Sequence, residues 1–566
     1  MINSKRKVAY FSMEIGFEAS IPTYSGGLGV LAGDTIRSFA DLKVPVVAVS
    51  LISEKGYFYQ KINDQGEQSE HPVSWNPQDL MTLLPEKVSV TIEGREVYIQ
   101  AWLYRVKGVS GFEVPVLFLD CNLPENDEYF RTLTSHLYGG DDKYRFSQEI
   151  VLGIGGVRMI QKLGFSGIKK YHMNEGHSAL LALELLRQLQ EERVSNSQGE
   201  VLWDFEEVRK CCVFTTHTPV PAGHDKFSYR LVEELLGDYV PQDILARVGG
   251  EDNLNMTLLA LNLSRYINGV ARKHGEISRK MFPGYPIDSI TNGVHVCNWT
   301  SKSFCRLYDE YIPGWCNDPF ALRYSLAIPG EKIWGAHMEA KRKLIDFVNQ
   351  QTNAGLSNQH FTIGFARRST AYKRAELIFK DPDRLASISE KVGKIQLIFA
   401  GKAHPSDSRG KEIIKKIFQY RRELRDKVKI VYLENYNIRT AKFLISGVDL
   451  WLNTPKRPME ASGTSGMKVV LNGIPNFSIL DGWWLEGHIE GITGWSIGPW
   501  EVENEEDQDE RDARELYDKL EKVIVPLFYD ERDKWIDVMR HSIAVNGSFF
   551  NTHRMVYEYT VNAYFL

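Results

Sequence analysis

Short apolar runs that end on polar or glycine-rich stops recur along this chain. Val8–Met13 (VAYFSM) is apolar throughout and predicts a strand buried on both faces. The runs VPVVAVSLIS from Val44, VSVTIEG from Val88, VYIQAWLYRV from Val97 and VPVLFLDC from Val114 predict further strands and make this part β-rich. Between them, Val30 to Leu42 takes a helical spacing, and a long helix is expected over Phe146 to Leu163. In the second half, FTIGFARR, KIQLIFAGK, VKIVYLENY and VDLWLN alternate with helical stretches. That alternation predicts a parallel sheet with right-handed crossovers. The fold class expected is α/β.

The polar stops carry the candidate chemistry. After the first strand, PTYSGGLGVLAGD places Gly26, Gly27, Leu28 and Gly29 ahead of a helix. Glycine lets backbone approach a ligand, and a helix N-terminus favours an anion, although tight packing alone also explains such a loop. After VDLWLN comes PKRPMEASGTSGMK, with Glu460, Ser462, Gly463, Thr464, Ser465 and then Lys468. A Gly/Ser/Thr turn between strand and helix seats a phosphate. The Walker A spacing GxxxxGK[ST] is absent, so Lys468 need not serve a nucleotide. A lysine in a partly apolar pocket can act as a Schiff-base amine; an ordinary turn with a solvated lysine is the bland alternative. FARRSTAYKR gathers Arg367, Arg368, Lys373 and Arg374 at one strand end. Four cations there suit two phosphates, or else a charged surface helix start. YHMNEGHSAL offers Asn174 as a ligand contact or a helix cap, and CVFTTHTPV ends on His217, with His224 nearby and without a role.

Length and charge narrow the choice. A chain of 566 residues is too long for one core and implies two or three domains. With 68 basic and 73 acidic residues the net charge is −5, so nothing argues for nucleic acid or an anionic membrane as partner. Six cysteines lack CxxC spacing, and neither a disulfide framework nor a metal site is expected. No run of about 18 apolar residues predicts a membrane span, and the N-terminus lacks a secretory core, so the cytoplasm is expected. The stretch Glu501 to Glu515 reads as an acidic loop entering a helix.

Taken together, EASGTSGMK, LNG and LDGWWLEG resemble the pyridoxal-phosphate site of the α-glucan phosphorylases, the glycogen, starch and maltodextrin phosphorylase family. Ordered motifs extend the resemblance from Glu14 to about Phe565, and the chain resembles a short microbial or archaeal form without much of the regulatory N-terminal extension. The resemblance implies GT-B architecture, with two Rossmann-like domains facing across a catalytic cleft. The domains are expected at 1–320 and 321–566, with the last helices packing back on the first. It implies reversible phosphorolysis of α-1,4-glucan to glucose 1-phosphate, with pyridoxal 5′-phosphate as a Schiff base on Lys468 and its phosphate as proton relay.

Residue by residue, the resemblance puts Arg368 on the substrate phosphate. Lys373 and Arg367 (a lysine in the family motif) lie near the cofactor phosphate, with Thr464, Ser465, Tyr436 and Gly27 also around the cofactor. His217, Asn174, Asn292, Tyr372, Glu460, Ser462, Gly463 and the Gly26–Gly27–Leu28 loop would contact glucose or phosphate. Glu175 stands where the motif has Asp, and Asp141 and Asp142 fall where the family has a gating loop. Partners implied are glucan, inorganic phosphate and glucose 1-phosphate, with self-association left open. GGLG also opens the glycogen and starch synthases, so a nucleotide-sugar-dependent glucan synthase is the rival enzyme. A non-catalytic glucan-binding regulatory protein is the rival of another class.

Overall fold

The computed structural model describes residues 5–196, 203–220, 223–499 and 507–565. The chain forms two compact units. One comprises 1–58, 72–290 and 556–566, and the other 59–71 and 291–555. The division falls after Ile290, whereas the sequence reading places it at 320.

In the first unit the apolar runs become a nine-stranded sheet. In spatial order, its parallel part runs Ile287–Ser289, Tyr266–Gly269, Cys212–Thr215, Lys170–Asn174, Val8–Ser12, Val46–Leu51 and Glu113–Asp120. The antiparallel strands Arg95–Lys107 and Thr82–Ile92 continue one edge. Val8–Ser12 and Val46–Leu51 are buried at every position, as a sheet covered on both faces requires. Strand order reverses between Val8–Ser12 and its neighbour Lys170–Asn174, so loops from these two strands diverge and leave a crevice at their carboxyl ends. The expected long helix is present as Asp142–Ile150, a π-helical stretch Val151–Gly155, and Gly156–Lys162. Asp141 is its N-cap, accepting from the Tyr144 N–H at 2.9 Å.

The C-terminal segment belongs to this unit through a buried polar network. His172 Nδ1 pairs with the Tyr564 hydroxyl at 2.7 Å and its Nε2 with Thr215 Oγ1 at 2.8 Å. The Asn268 amide donates to the Tyr559 hydroxyl at 3.0 Å.

The second unit holds a six-stranded parallel sheet in the order Lys429–Leu433, Ile395–Ala400, Phe361–Ala366, Leu450–Asn453, Asn476–Ile479, Gly494–Ile497. Numbered along the chain this is 3-2-1-4-5-6, the doubly wound dinucleotide-fold order, with its reversal between Phe361–Ala366 and Leu450–Asn453. Trp495 stacks on Trp535 at 5.6 Å within the core beneath it. The hairpin Tyr59–Ile62/Gln68–His71 also packs in this unit, although the chain around it lies in the other. Buried Gln60 donates to Gly401 O at 2.8 Å and accepts from the Asn435 N–H at 2.8 Å, which holds the hairpin on two strand-end loops.

One expectation is corrected here. Cys297 and Cys316 form a disulfide with a Cα–Cα distance of 5.9 Å. The two stand 19 residues apart in sequence, a spacing that carries no signal until the fold brings them together. Of the acidic stretch, 501–506 lie outside the described residues, and the helix runs Gln508–Lys519.

Candidate functional site

In the second unit, the strand-end loops at the reversal converge on one buried carboxylate. Arg367 and Arg368 follow Phe361–Ala366, and Glu460 lies beyond Leu450–Asn453. Glu460 Oε2 accepts from Lys373 Nζ at 2.7 Å and from Arg367 Nη1 at 3.1 Å. Lys373 and Glu460 are each 7% exposed, so the pair sits in a low-dielectric setting. Burial alone would raise the Glu460 carboxyl, but Lys373 and Arg367 overcome it and hold the group below the usual carboxylate range. Arg367 also donates to Asn453 across the reversal and to Ser465 Oγ at 3.4 Å. Arg368 is exposed at the strand end, and Tyr372 lies under Lys373, whose Nζ is 4.4 Å from the ring centre.

Arg374 departs from the expected four-cation cluster. Its guanidinium donates to the Thr454 and Pro455 carbonyls at 3.0 and 2.9 Å and pairs with Asp512 at 2.7 Å. It is a structural tie between loops. Its backbone takes a φ of +47°, in the left-handed region.

The glycine-rich turn is built as a strand-to-helix connection. Gly463 takes φ +91°, and the helix Thr464–Val470 starts directly after it. Ser462 is buried, and its Oγ has no hydrogen-bond partner among the described residues. Lys468 is buried one turn into the helix, its Nζ 4.1 Å from the centre of the Trp299 ring. Asn472, in the LNG motif, places that tryptophan: its amide donates to Trp299 O at 3.0 Å, and its oxygen accepts from the Ser301 N–H at 2.7 Å. Asn292 is buried, its side-chain oxygen has no hydrogen-bond partner among the described residues, and the neighbouring Thr291 hydroxyl donates to Glu486 of WWLEG at 2.8 Å. Tyr436 is half-buried in the loop after Lys429–Leu433. At the end of the adjacent strand, burial lowers the Lys402 amine to about 8.

The first unit assembles a second cluster at its own reversal. Asn174 donates to Ser12 Oγ at 3.1 Å, joining the two strand ends, and its oxygen accepts from His217 Nε2 at 2.7 Å. Asn174 thus orients a histidine rather than capping a helix. Burial, reinforced by neighbouring histidines, lowers the His217 imidazole to about 3, so the ring is neutral. With Nε2–H donating to the amide oxygen, Nδ1 is left as an acceptor. Glu175 accepts from the His217 N–H at 2.7 Å and the Thr218 hydroxyl at 2.9 Å, so the residue that differs from the motif braces the histidine loop. Its φ of +76° is a backbone state that non-glycine residues seldom adopt.

The glycine loop is held by Glu14, whose carboxylate accepts from the Gly26 N–H at 3.1 Å and the Tyr138 hydroxyl at 2.9 Å. The glycines of GGLG differ in purpose. A Cβ on Gly29 would lie 2.7 Å from Glu14, while one on Gly27 would meet nothing within 4 Å. Gly29 serves packing, and Gly27, at the start of the helix Gly27–Asp41, presents open backbone beside Leu28.

The comparisons with known proteins agree on one family. Residues 240–490 match the carbohydrate phosphorylase model. The chain is 38% identical to the maltodextrin phosphorylase of Thermococcus litoralis over 98% of its own length and 70% of that protein's. The chain belongs to the carbohydrate phosphorylase family. It is also similar to the glycogen phosphorylases of Mycobacterium tuberculosis (36%, covering 98% of this chain and 70% of that one) and Aquifex aeolicus (34%, 98% and 85%). No helix among the described residues is long and apolar enough to cross a membrane.

The cofactor of this family is pyridoxal 5′-phosphate, and the donor set fits it. A buried primary amine on Lys468 lies against an aromatic face, two cations lie nearby, and Ser462 Oγ is a buried hydroxyl without a partner among the described residues. Two residues of this arrangement, Trp299 and Asp481, stand outside the set that the sequence singles out for the site. Asp481 accepts from the Glu460 N–H at 2.9 Å. Their positions are marked only by the stretch TNGVHVCNW, Thr291 to Trp299, and by the LDG of LDGWWLEG.

Proposed function

We infer that this phosphorylase catalyses reversible phosphorolysis of α-1,4-glucan. A terminal glucosyl unit passes to inorganic phosphate, giving α-D-glucose 1-phosphate and a shortened chain. The supporting observation is the buried Lys468 against Trp299, beside the Arg367–Glu460–Lys373 cluster at a strand reversal. Relatives named as maltodextrin and glycogen phosphorylases support the substrate class. The GT-B arrangement and a cytoplasmic setting belong to the same proposal and rest on family membership.

In this reading Lys468 holds the cofactor through its amine, with Thr464, Ser465, Arg367, Tyr436 and Gly27 around it. When bound, pyridoxal phosphate supplies acid–base function through its 5′-phosphate and not an electron sink. Arg368 grips the substrate phosphate bidentately, and Lys373 neutralises the neighbouring phosphate. Two phosphates side by side repel, so both cations are required. Glu460, kept ionised, accepts from glucose hydroxyls, and neutral His217 offers a hydrogen bond without adding charge. Asn174, Asn292, Tyr372, Ser462, Gly463 and the Gly26–Leu28 loop complete the sugar and phosphate contacts. The glycosidase device of two protein carboxylates flanking the bond is not needed.

The test is to incubate the protein with maltodextrin and phosphate and to assay glucose 1-phosphate. The expected result is phosphate-dependent release without any nucleotide sugar. Free glucose as the main product, or turnover only with a nucleotide sugar, overturns the reading.

A further inference from the structure

Asp481 follows the strand Asn476–Ile479 and is 2% exposed. Its Oδ2 accepts from the Glu460 N–H and its Oδ1 from the Gly482 N–H, each at 2.9 Å. The loops that carry these residues interlock. The Trp483 N–H donates to Ser462 O at 2.9 Å. Gly482 has φ +56°, and a Cβ there would lie 2.4 Å from Ser462 O and 3.1 Å from Glu460 O. Two backbone donors therefore converge on one side chain. A carboxylate can accept at both oxygens, whereas an asparagine offers one acceptor and turns an amide toward the other N–H.

We propose that Asp481 is a positioning residue of this reaction: its carboxylate holds the Glu460 peptide and thereby aims the Glu460 carboxylate between Lys373 and Arg367. The inference rests on the phosphorylase reading above. The charged groups that face Asp481 are Glu460, Lys373 and Arg457. Burial, with the like charge of Glu460, pushes the Asp481 carboxyl up to about 7, against the opposing pull of the two N–H bonds and Lys373. Glu460 itself stays ionised, so acidification reaches the site through Asp481. A proton on Asp481 turns one acceptor oxygen into a hydroxyl and releases one of its two ties.

The experiment compares wild type with D481N over roughly two pH units either side of 7. It reads kcat, the phosphate KM, bound cofactor and the melting temperature. Above pH 7, D481N should turn over about tenfold more slowly with normal cofactor content, since one charge-assisted bond is lost. As the pH falls, the wild-type to D481N ratio of kcat should shrink toward one; titration of phosphate itself affects both proteins and cancels. A second readout does not need activity. Because the folded-state carboxyl is raised, its stabilising contribution is present at low pH and lost as the pH rises through about 7. The wild-type melting temperature should fall relative to that of D481N over the same interval. Should D481N not fold, D481E, which keeps a carboxylate, should retain the acid limb at reduced kcat. A pH-independent ratio, wild-type kcat in D481N, or a D481E profile without the acid limb overturns the proposal. Wild-type protein that makes no glucose 1-phosphate overturns the phosphorylase reading instead.

Discussion

Glu460 takes two cations on one oxygen, and this sets how individual substitutions should fail. Arg368 is exposed, whereas Arg367 and Lys373 form the ion pairs with buried Glu460, so Arg368→Ala should keep the fold and the cofactor. Its effect should fall on phosphate: a KM raised roughly tenfold to a hundredfold, the cost of one charge-assisted contact of about 1.5–3 kcal/mol. Lys373→Ala removes a buried partner of Glu460 and should lower cofactor content and turnover more than phosphate affinity. Cofactor absorbance and phosphate kinetics on both variants distinguish the two; loss of cofactor from Arg368→Ala with normal phosphate kinetics reverses the assignment. For Lys468, borohydride treatment, digestion and mass spectrometry should find a phosphopyridoxyl adduct on that residue. Fully active protein with unmodified Lys468 contradicts its role.

Among the elements, the loop into the helix Gly27–Asp41 makes a graded prediction from one motif. Gly29→Ala forces a methyl to 2.8 Å from the Tyr24 Cβ as well as against Glu14, and should cost about 1–3 kcal/mol of stability. Gly27→Ala meets no protein atom and should leave the melting temperature unchanged while raising the phosphate KM. Equal melting temperatures for the two variants contradict this division of labour. The C-terminal helix Thr552–Tyr559 and the turn after it act through Tyr559 and Tyr564, which satisfy buried polar groups of the strands Lys170–Asn174 and Tyr266–Gly269. Tyr564→Phe leaves His172 Nδ1 without that partner, a penalty of about 1–3 kcal/mol. Hydrogen exchange at Lys170–Asn174 should quicken accordingly, and unchanged protection there contradicts the role.

At the scale of the whole molecule, acid resistance should differ between the units. Burial holds His172, His177 and His217 near 3, and His224 and His274 near 4, all in the first unit. For each, the unfolded chain takes up a proton below about 6.5 while the folded one does not. Stability is therefore lost as the pH falls from about 6.5 toward 4, by up to about 1.4 kcal/mol per pH unit per group. Hydrogen exchange at decreasing pH should show the first unit's strands losing protection before those of the second. Simultaneous loss, or earlier loss in the second unit, contradicts the prediction. The second unit carries a different kind of buried charge: Asp449 pairs with Lys341 at 2.6 Å and His337 at 2.8 Å. There burial is outweighed by Lys341 and His337, which keep the aspartate carboxyl low.

By itself the sequence determined the elements and the chemistry at their ends. Short continuous apolar runs between turn residues predict buried strands, and their polar stops fall at the carboxyl ends where Arg367, Asn174 and His217 stand. Lys468 was legible because its whole turn is local: strand, glycine at positive φ, helix. Pairing across distance was not legible. Nothing in the spacing of Arg374 says that it serves Asp512 while Lys373 serves Glu460, because a cation's partner depends on which loops the sheet brings together. The Cys297–Cys316 bond, the hairpin from 59 to 71 in the second unit and the Tyr559–Tyr564 segment in the first are decided the same way. The cysteines are 19 residues apart, and the hairpin and the C-terminal segment bond to groups hundreds of residues away, so each contact exists only once the fold has brought its partners together. Strand order is the largest such decision. Any of several orders satisfies the same apolar runs, but only tertiary packing reverses the order at Val8–Ser12 and at Phe361–Ala366, where the crevices and their polar residues lie.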